Sequence, residues 1–327
     1  MRRREFIVGL GSAAAWSVGL RAARAQQRVL PVIGLLAGGV GSVGSAFFDA
    51  FGKGLSEMSY VEGRDVLFES HLTDQYDQLP ALAAELVQRR VAVIFAGGPP
   101  AVRAAKAQTA NIPIVFIVGE DPVKEGLVSS LNRPGGNVTG FSTFVNQLFG
   151  KRLTLLRDTL PATEVLGLLV NPTNPNADVD TRDARAAAET LGRRLHVVTA
   201  STERDFGPAF TAILERRVDA LVVGVDPFFR LQRDQIVALA ARHSLPAMYT
   251  RREFVEAGGL MSYGANYAET NRQAGIYAGR ILKGEKPADL PVQQATKLEF
   301  ILNLKTANAL GLKIPPGVLA IADEVIE

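Results

Sequence analysis

A five-residue pattern that ends in Asp-Pro occurs twice in the chain, each time at the end of an apolar run. Residues 118–122 are Val-Gly-Glu-Asp-Pro and residues 223–227 are Val-Gly-Val-Asp-Pro. Because Asp suits a helix N-cap and Pro the first helical turn, each copy places a carboxylate and free backbone N–H groups where a strand ends. The pattern predicts that Gly119, Asp121 and Asp226 lie at a ligand site. The alternative is that each Asp only caps a helix.

An Asn- and Pro-rich stretch, residues 171–176, follows the apolar run 165–170. An Asn side chain both donates and accepts hydrogen bonds, which suits a neutral or zwitterionic ligand. Asn171 and Asn174 are therefore candidate ligand contacts. A turn followed by a helix cap would explain the same residues.

Two glycine-rich loops follow apolar runs in the first half of the chain. The first contains Gly39 and Gly41, and the second contains Gly97, Gly98 and Pro99. Because Gly lets backbone N–H groups approach a ligand closely, and such loops at helix N-termini can hold a carboxylate, both loops are candidate ligand sites.

The first of these loops also matches the G-x-G-x-x-G pattern of dinucleotide-binding proteins. Gly39, Gly41 and Gly44 supply the glycines, and acidic Glu69 is expected to end the next strand. This match keeps NAD(P) binding open as an alternative. No Gly-Lys-Ser/Thr sequence follows the loop, which argues against a nucleoside-triphosphate site.

Aromatic contacts are expected from Tyr249 and Tyr263, each of which ends a strand-like segment in the second half of the chain. A Tyr in a cleft can stack on a planar ligand and donate a hydrogen bond from its hydroxyl. The alternative for both residues is partly buried packing.

Catalytic chemistry finds little support in the sequence. His71, His196 and His243 are scattered without metal-ligand spacing, Cys is absent, and no G-x-S-x-G motif occurs. The sequence therefore predicts no catalytic residue, no bound metal and no cofactor, and the protein is not expected to be an enzyme.

Strand-like and helix-like patterns alternate along the chain and must position these residues. Short, fully apolar runs such as 32–36, 114–118 and 165–170 indicate strands buried on both faces. Between them, apolar residues recur at helical spacing, and a later helix-rich stretch covers about 267–282. The alternation predicts an α/β fold with two doubly wound parallel-sheet lobes.

The pattern restarts after a Pro-Gly-Gly sequence at 134–136, which leads into the expected first crossing between the lobes. Further crossings are expected near residues 263 and 292, which makes a multi-strand hinge. The predicted N-terminal lobe comprises residues 28–142 and about 264–292, and the C-terminal lobe comprises residues 143–263 and about 293–327.

The first 25 residues have the three parts of a secretory signal. Three Arg residues at 2–4 precede an apolar stretch, 6–20, and Ala-Arg-Ala at 23–25 forms a cleavage signature. Residues 3–7 have the form of a twin-arginine export motif. This segment carries five Arg and one Glu, so removing its net +4 from the chain's +3 leaves about −1. The basic character of the whole chain therefore gives no support for nucleic-acid binding.

Longer motifs in the second half are more specific. They are Val-Gly-Val-Asp-Pro-Phe-Phe at 223–229, Gly-Gly-Leu-Met-Ser-Tyr-Gly at 258–264, the stretch 277–293, and the C-terminal segments 309–312 and 322–327. With the export motif, they make the chain resemble the ABC transporter substrate-binding family that includes tryptophan- and tyrosine-binding members. The resemblance covers nearly the whole chain after the predicted signal.

This resemblance implies a type I periplasmic-binding-protein fold with three inter-lobe crossings, and binding without catalysis. It also implies that loop groups at Gly98 and Pro99 hold the ligand's α-carboxylate, and that Asp226 holds its α-amine. The first loop is unusually Gly-rich for the family.

The predicted function is that of an exported, periplasmic and monomeric solute-binding protein. It captures an amino acid or aromatic acid between its two lobes and delivers this small-molecule ligand to an ABC transporter permease, with no nucleic-acid partner. Two alternatives are an exported NAD(P)-dependent oxidoreductase and the ligand-sensing domain of a signalling system.

Overall fold

The short apolar runs of the sequence form the strands of two sheets in this computed structural model, which describes residues 30–38, 44–73, 75–295 and 297–327. The predicted signal at 1–25, Gly39 and Gly41 lie outside the described residues. Within the described ranges the strands are β1 (Val32–Gly38), β2 (Leu67–Thr73), β3 (Val93–Gly97), β4 (Ile114–Val118), β5 (Val138–Ser142), β6 (Val165–Val170), β7 (Arg194–Thr199), β8 (Ala220–Val223), β9 (Ala247–Tyr249), β10 (Met261–Ala265), β11 (Gln293–Gln294), β12 (Leu298–Asn303) and β13 (Glu324–Ile326).

Helices follow most of the strands, as the sequence pattern predicts. In the same part of the chain they are α1 (Gly44–Glu57), α2 (Leu79–Gln88), α3 (Pro99–Gln108), α4 (Phe149–Thr159), α5 (Ala177–Thr190), α6 (Phe206–Glu215), α7 (Pro227–Leu231), α8 (Arg233–Arg242), α9 (Arg252–Glu256), α10 (Tyr267–Leu282), α11 (Leu304–Ala309) and α12 (Pro316–Ala320).

The two sheets have the strand orders of doubly wound α/β proteins. The first sheet is ordered β11-β5-β4-β3-β1-β2, and its strands are parallel. The second is ordered β13-β12-β10-β9-β8-β6-β7. The predicted α/β fold is confirmed, with one departure: β12 pairs antiparallel with β10. The reason is that the chain leaves the second sheet at the end of β10 and returns to it from the first sheet, so β12 runs in the opposite direction.

The chain passes between the sheets three times within the described residues. It leaves the first sheet after Ser142 and enters the second through α4 and β6. It returns at Asn266, between β10 and α10, and α10 packs against α1 and β4 of the first sheet. It crosses again between β11 and β12.

Side chains on both faces of each sheet are buried, which explains the continuous apolar runs. In β4, Ile114 and Phe116 contribute to one core cluster, and Val115 and Ile117 contribute to the cluster on the opposite face. The second sheet likewise lies between two clusters. None of the helices in the described ranges is long and apolar enough to cross a membrane.

The position of Glu69 corrects one expectation from the sequence. Glu69 is the third residue of the seven-residue strand β2, so it does not end that strand. Its carboxylate is engaged, because His71 Nε2 lies 2.8 Å from Oε1 and Arg89 Nε lies 3.0 Å from the same oxygen. A dinucleotide site needs its acidic residue near the strand's carboxyl end, close to the glycine loop, so Glu69 does not support the NAD(P) alternative.

Candidate ligand-binding cleft

A cleft of about 710 Å³ lies where the carboxyl ends of strands from both sheets face each other. Loops after β3 and β4 form one wall, and loops after β6, β8 and β9 form the other. In parallel α/β sheets these strand ends are where ligands bind, and the volume falls within the range typical of small-molecule sites. The cleft is therefore the candidate functional site.

Half of the predicted site residues line this cleft. They are Gly97, Gly98, Pro99, Gly119, Asn174 and Asp226. Asn171 instead supports Asp226 from behind: its Nδ2 lies 3.3 Å from Asp226 Oδ1, and the residue lines a smaller neighbouring pocket.

Asp121 is not among the cleft-lining residues. Its carboxylate accepts hydrogen bonds from the backbone N–H of Val123 at 3.0 Å and of Lys124 at 3.3 Å. These contacts match the capping alternative, although the capped segment is a turn and not a helix. The neighbouring side chain of Glu120 lines the cleft instead.

The two predicted tyrosines also lie away from the cleft. Tyr249 is 1% exposed and its ring stacks on Phe254, with ring centroids 4.8 Å apart. Tyr263 lies in the middle of β10 and packs against a core cluster of the second sheet. Both residues therefore follow the packing alternative, Tyr249 as a buried side chain and Tyr263 as a half-buried one. The aromatic residues that line the cleft are Tyr76, Phe254 and Tyr267.

Asp226 organises one wall of the cleft. Its Oδ1 accepts hydrogen bonds from the backbone N–H of Phe228 at 2.8 Å and of Phe229 at 3.3 Å, which caps α7, and from Asn171 Nδ2. Its Oδ2 accepts from Asn174 Nδ2 at 2.7 Å. Burial raises the pKa of Asp226, while these hydrogen bonds favour the ionised form. Oδ1 thus accepts three hydrogen bonds and Oδ2 one, so the acceptor site that remains for a ligand donor is on Oδ2.

The loop at Gly98 lacks the donors that the resemblance implied. The N–H of Gly98 donates to the carbonyl of Ile117 at 2.9 Å. Pro99 and Pro100, which follow it, carry no N–H. Gly98 itself has φ +84, a conformation that glycine adopts without strain. These three residues therefore shape an apolar surface and offer no N–H group to a carboxylate.

Glu120 and Asn176 connect the two walls, and sequence reasoning did not single out either residue. Asn176 Nδ2 donates a hydrogen bond to Glu120 Oε1 across the cleft, and the N–H of Gly119 donates to Oε2 at 3.0 Å. Burial raises the pKa of Glu120 to about 7. The direct contact between the walls indicates a closed arrangement of the two lobes.

A cationic cluster lines the second wall and was also missed. Arg251 stacks on Tyr267, with the guanidinium carbon 3.6 Å from the ring centroid, and its Nη2 lies 2.9 Å from Glu253 Oε1. Burial alone would raise the pKa of Glu253, but the charge of Arg251 holds this pKa at about 2. Burial, with a contribution from nearby Arg251, lowers the pKa of Arg230 to about 10. Arg251 is the second residue after the end of β9, so the strand-end rule that singled out Asp226 could have found it.

No group of three or more His, Asp or Glu side chains in the described part of the chain is placed to hold a metal ion. The polar side-chain groups that face the cleft are carboxylates, amides, guanidiniums, phenols and the hydroxyl of Thr250. These groups suit recognition of an organic molecule by hydrogen bonds and charge.

Sequence comparison finds a family and a characterised relative that each match most of the chain. The family model for ABC transporter substrate binding proteins matches residues 45–326. A tyrosine-binding protein of Clostridioides difficile is 25% identical over 264 residues, which cover 80% of this chain and 76% of that protein.

Solved structures extend the comparison. A conserved domain protein from Vibrio cholerae has a TM-score of 0.81 at 27% identity and covers 90% of this chain and 99% of its own. The ABC domain of a Streptococcus pneumoniae protein in complex with L-Trp has a TM-score of 0.80 at 24% identity, covering 91% and 100%. The fold is that of the type I periplasmic binding proteins.

Proposed function

The chain belongs to the ABC transporter substrate-binding protein family, and from this premise we propose that its cleft captures an amino acid or aromatic acid for delivery to an ABC transporter permease. The observation that carries the proposal is the cleft itself. It is formed by strand ends from two separate sheets, and Glu120 and Asn176 meet across it. Hinge closure of two lobes over a ligand is a common binding mechanism for this architecture.

The ligand class is supported by relatives and by the lining. One relative is described as a tyrosine-binding protein, and one solved neighbour contains L-Trp. Tyr76, Phe254 and Tyr267 offer aromatic surface, and Arg230 and Arg251 offer positive charge. A ligand with a planar apolar body and a carboxylate would use both features.

Several further properties belong to the same proposal. Residues 1–25 act as a cleaved twin-arginine export signal, and the remaining chain works as a periplasmic monomer that binds without catalysis. One lobe comprises residues 28–142 and about 264–292, and the other comprises residues 143–263 and about 293–327. The strands assigned to each sheet are compatible with this division at all but two places: Gln293 and Gln294 of β11 pair with the first sheet, and Gly264 and Ala265 of β10 pair with the second.

A thermal-shift screen tests the ligand class. Protein lacking residues 1–25 is heated with aromatic amino acids, aliphatic amino acids and aromatic acids. A ligand that binds only the folded state at about a hundredfold excess over its Kd adds about 2.7 kcal/mol of stability, so the melting temperature should rise by several degrees. Trp16 is the only Trp in the chain, so bound tryptophan can also be followed by its own emission. The ligand class is refuted if no amino acid or aromatic acid raises the melting temperature.

Ligand affinity is expected to fall as pH rises through neutrality, because of Glu120. In the closed cleft burial raises the pKa of Glu120 to about 7. The charge of Glu125 adds to this increase, and the charge of Arg103 opposes it. Opening separates Asn176 from the carboxyl and admits water, so the pKa returns toward its usual value near 4.5. Closure therefore takes up a proton at intermediate pH, and deprotonation opposes closure.

Calorimetry at about pH 5.5 and about pH 8 should give a roughly thirtyfold lower affinity at the higher pH, because a carboxyl whose pKa rises from 4.5 to about 7 on closure takes up nearly one proton at the lower pH and almost none at the higher pH. Glu120→Gln should remove this dependence, whereas the exposed Glu215→Gln should keep it. An unchanged affinity of the unsubstituted protein across this range would contradict the prediction.

A further inference from the structure

A second, smaller pocket lies in the lobe of the second sheet and shares no lining residue with the cleft. It has a volume of about 290 Å³ and is enclosed by the end of α8, strand β9, the segment 258–260 before β10, and helix α11. An apolar cavity of about half this volume can hold a molecule the size of benzene, so the pocket has room for a ligand of about eight non-hydrogen atoms.

Most of the pocket lining is apolar. Val237, Leu245 and Leu260 lie in the wall and are each no more than 5% exposed. Alanines of α8, β9 and α11 complete much of the wall, and their small side chains leave the space open. A hydrocarbon chain that enters the pocket is therefore removed from water, which favours binding.

Tyr249 is a buried residue of this lining that carries a hydroxyl group. Its side chain is 1% exposed, and its ring stacks on Phe254. The described residues provide no hydrogen-bond partner for this hydroxyl, and burial is what raises the pKa of Tyr249. Because a buried Tyr hydroxyl usually has a partner, packing explains the ring of Tyr249 and leaves its hydroxyl unexplained.

Lys305 gives the pocket a positive charge. It is the second residue of α11 and is exposed, and the pocket lining includes no acidic side chain among the residues that the structure describes. In those residues no carboxylate pairs with the Lys305 ammonium group. The lining therefore offers an ammonium and a phenol hydroxyl as hydrogen-bond donors, and both suit an anionic acceptor.

The nearby end of α8 does not supply competing acceptors. Three carbonyls of its last turn already accept hydrogen bonds from the backbone N–H groups of residues 243–245. The same turn carries Arg242, whose charge offsets the negative end of the helix dipole. An anion beside Lys305 is thus not opposed by a free carboxylate or by open carbonyl groups of this turn.

On these observations we infer that the pocket is a second ligand site, separate from the cleft, which takes a short-chain aliphatic monocarboxylate. The hydrocarbon chain contacts the apolar wall, and the carboxylate accepts hydrogen bonds from the Lys305 ammonium and the Tyr249 hydroxyl. The site goes beyond the proposed function and does not depend on the ligand class of the cleft.

Hexanoate is the probe for this site, with hexan-1-ol and hexylamine as the matched neutral and cationic molecules. NMR titration of the isotope-labelled protein should give saturable shifts with hexanoate and a dissociation constant of about 1 mM or lower. The alcohol should bind at least about threefold more weakly, and the amine more weakly still. The amide signals of Gly258 and Gly259 should move, whereas those of Gly97 and Gly98 in the cleft should not.

Two results of this titration would count against the site. Absence of saturable hexanoate binding, or shifts confined to Gly97 and Gly98, overturns the second site. Equal affinities for hexanoate and hexan-1-ol overturn the assignment of a carboxylate ligand. Neither result bears on the cleft, whose ligand class the thermal-shift screen tests separately.

Substitutions test the two assigned donors. Tyr249→Phe keeps the ring that stacks on Phe254 and removes only the hydroxyl, so hexanoate should bind about tenfold more weakly without a fall in melting temperature. Lys305→Gln should weaken binding about threefold, since an exposed ion pair contributes little. Lys313→Gln is the matched control, because Lys313 is exposed and lies outside the pocket lining. Lys305→Gln remains the test if Tyr249→Phe does not fold. Unchanged hexanoate affinity in either folded variant overturns the assignment of that donor.

Discussion

An Asp226→Ala variant is expected to lose about 2–4 kcal/mol of folding stability together with most of its ligand affinity. The carboxylate caps α7 through the N–H groups of Phe228 and Phe229, and it accepts from the amides of Asn171 and Asn174. Loss of an N-cap costs about 0.5–2 kcal/mol. The buried amide of Asn171, left without this acceptor, adds about 1–3 kcal/mol. The half-buried amide of Asn174 keeps its hydrogen bond to the carbonyl of Val225. Chemical unfolding measures the stability change.

Binding data for the same variant distinguish two roles of Asp226. If Asp226 holds the cleft wall together, amino acids and their deaminated analogues should lose affinity by similar factors, and the unfolding midpoint should fall in parallel. Asp226→Asn keeps one acceptor oxygen for the cap and should lose only about 1 kcal/mol. A loss confined to amine-bearing ligands, with an unchanged midpoint, would instead identify Asp226 as the ammonium partner.

Gly275→Ala is expected to destabilise the protein by about 3 kcal/mol, near the upper end for overpacking. Helices α1 and α10 approach each other backbone to backbone at this point. A Cβ added at Gly275 would lie 2.0 Å from the carbonyl oxygen of Phe51, and one added at Gly54 would lie 1.9 Å from that of Arg272. Backbone cannot yield as a flexible side chain can, so the helices must separate.

Separation of α1 and α10 should also displace residues that line the cleft. The first turns of α10 carry Tyr267, Ala268 and Asn271, which line it. Thermal unfolding and ligand titration of Gly275→Ala should both report losses. Gly52→Ala is the control in α1, because no atom lies within 4 Å of its added Cβ. That substitution should raise stability by up to about 1 kcal/mol through helix propensity. Equal stability of the two variants would contradict the close approach of these helices.

Elements whose burial pattern is local were predictable from the sequence alone. Ile114–Val118 and Val165–Val170 form strands with the predicted bounds, and Tyr267–Leu282 forms the predicted helix. A strand covered on both faces must be apolar throughout, and a helix beside a sheet repeats its apolar face every three or four residues. These requirements appear directly in the residue order.

The site was only partly predictable. The strand-end rule correctly directed attention to the loops with Gly98, Asn174 and Asp226, because the direction of a parallel strand determines which of its loops lies at the binding edge. The same rule could not tell that Asp121 turns away from the cleft while Glu120 lines it. That difference depends on how the backbone directs two adjacent side chains at the start of the turn 122–126.

The chemistry of the cleft was decided by tertiary structure. The hydrogen bond between Glu120 and Asn176, and the stacking of Arg251 on Tyr267, join residues from different elements and, for the first pair, from different lobes. Residue order alone determined the two-sheet fold, the helix cap at Asp226 and the edge of each sheet where a ligand can bind. Which acceptors are already filled, and which guanidiniums share one carboxylate, depends on how distant segments meet and exclude water, because the energy of a charge is set by its surroundings.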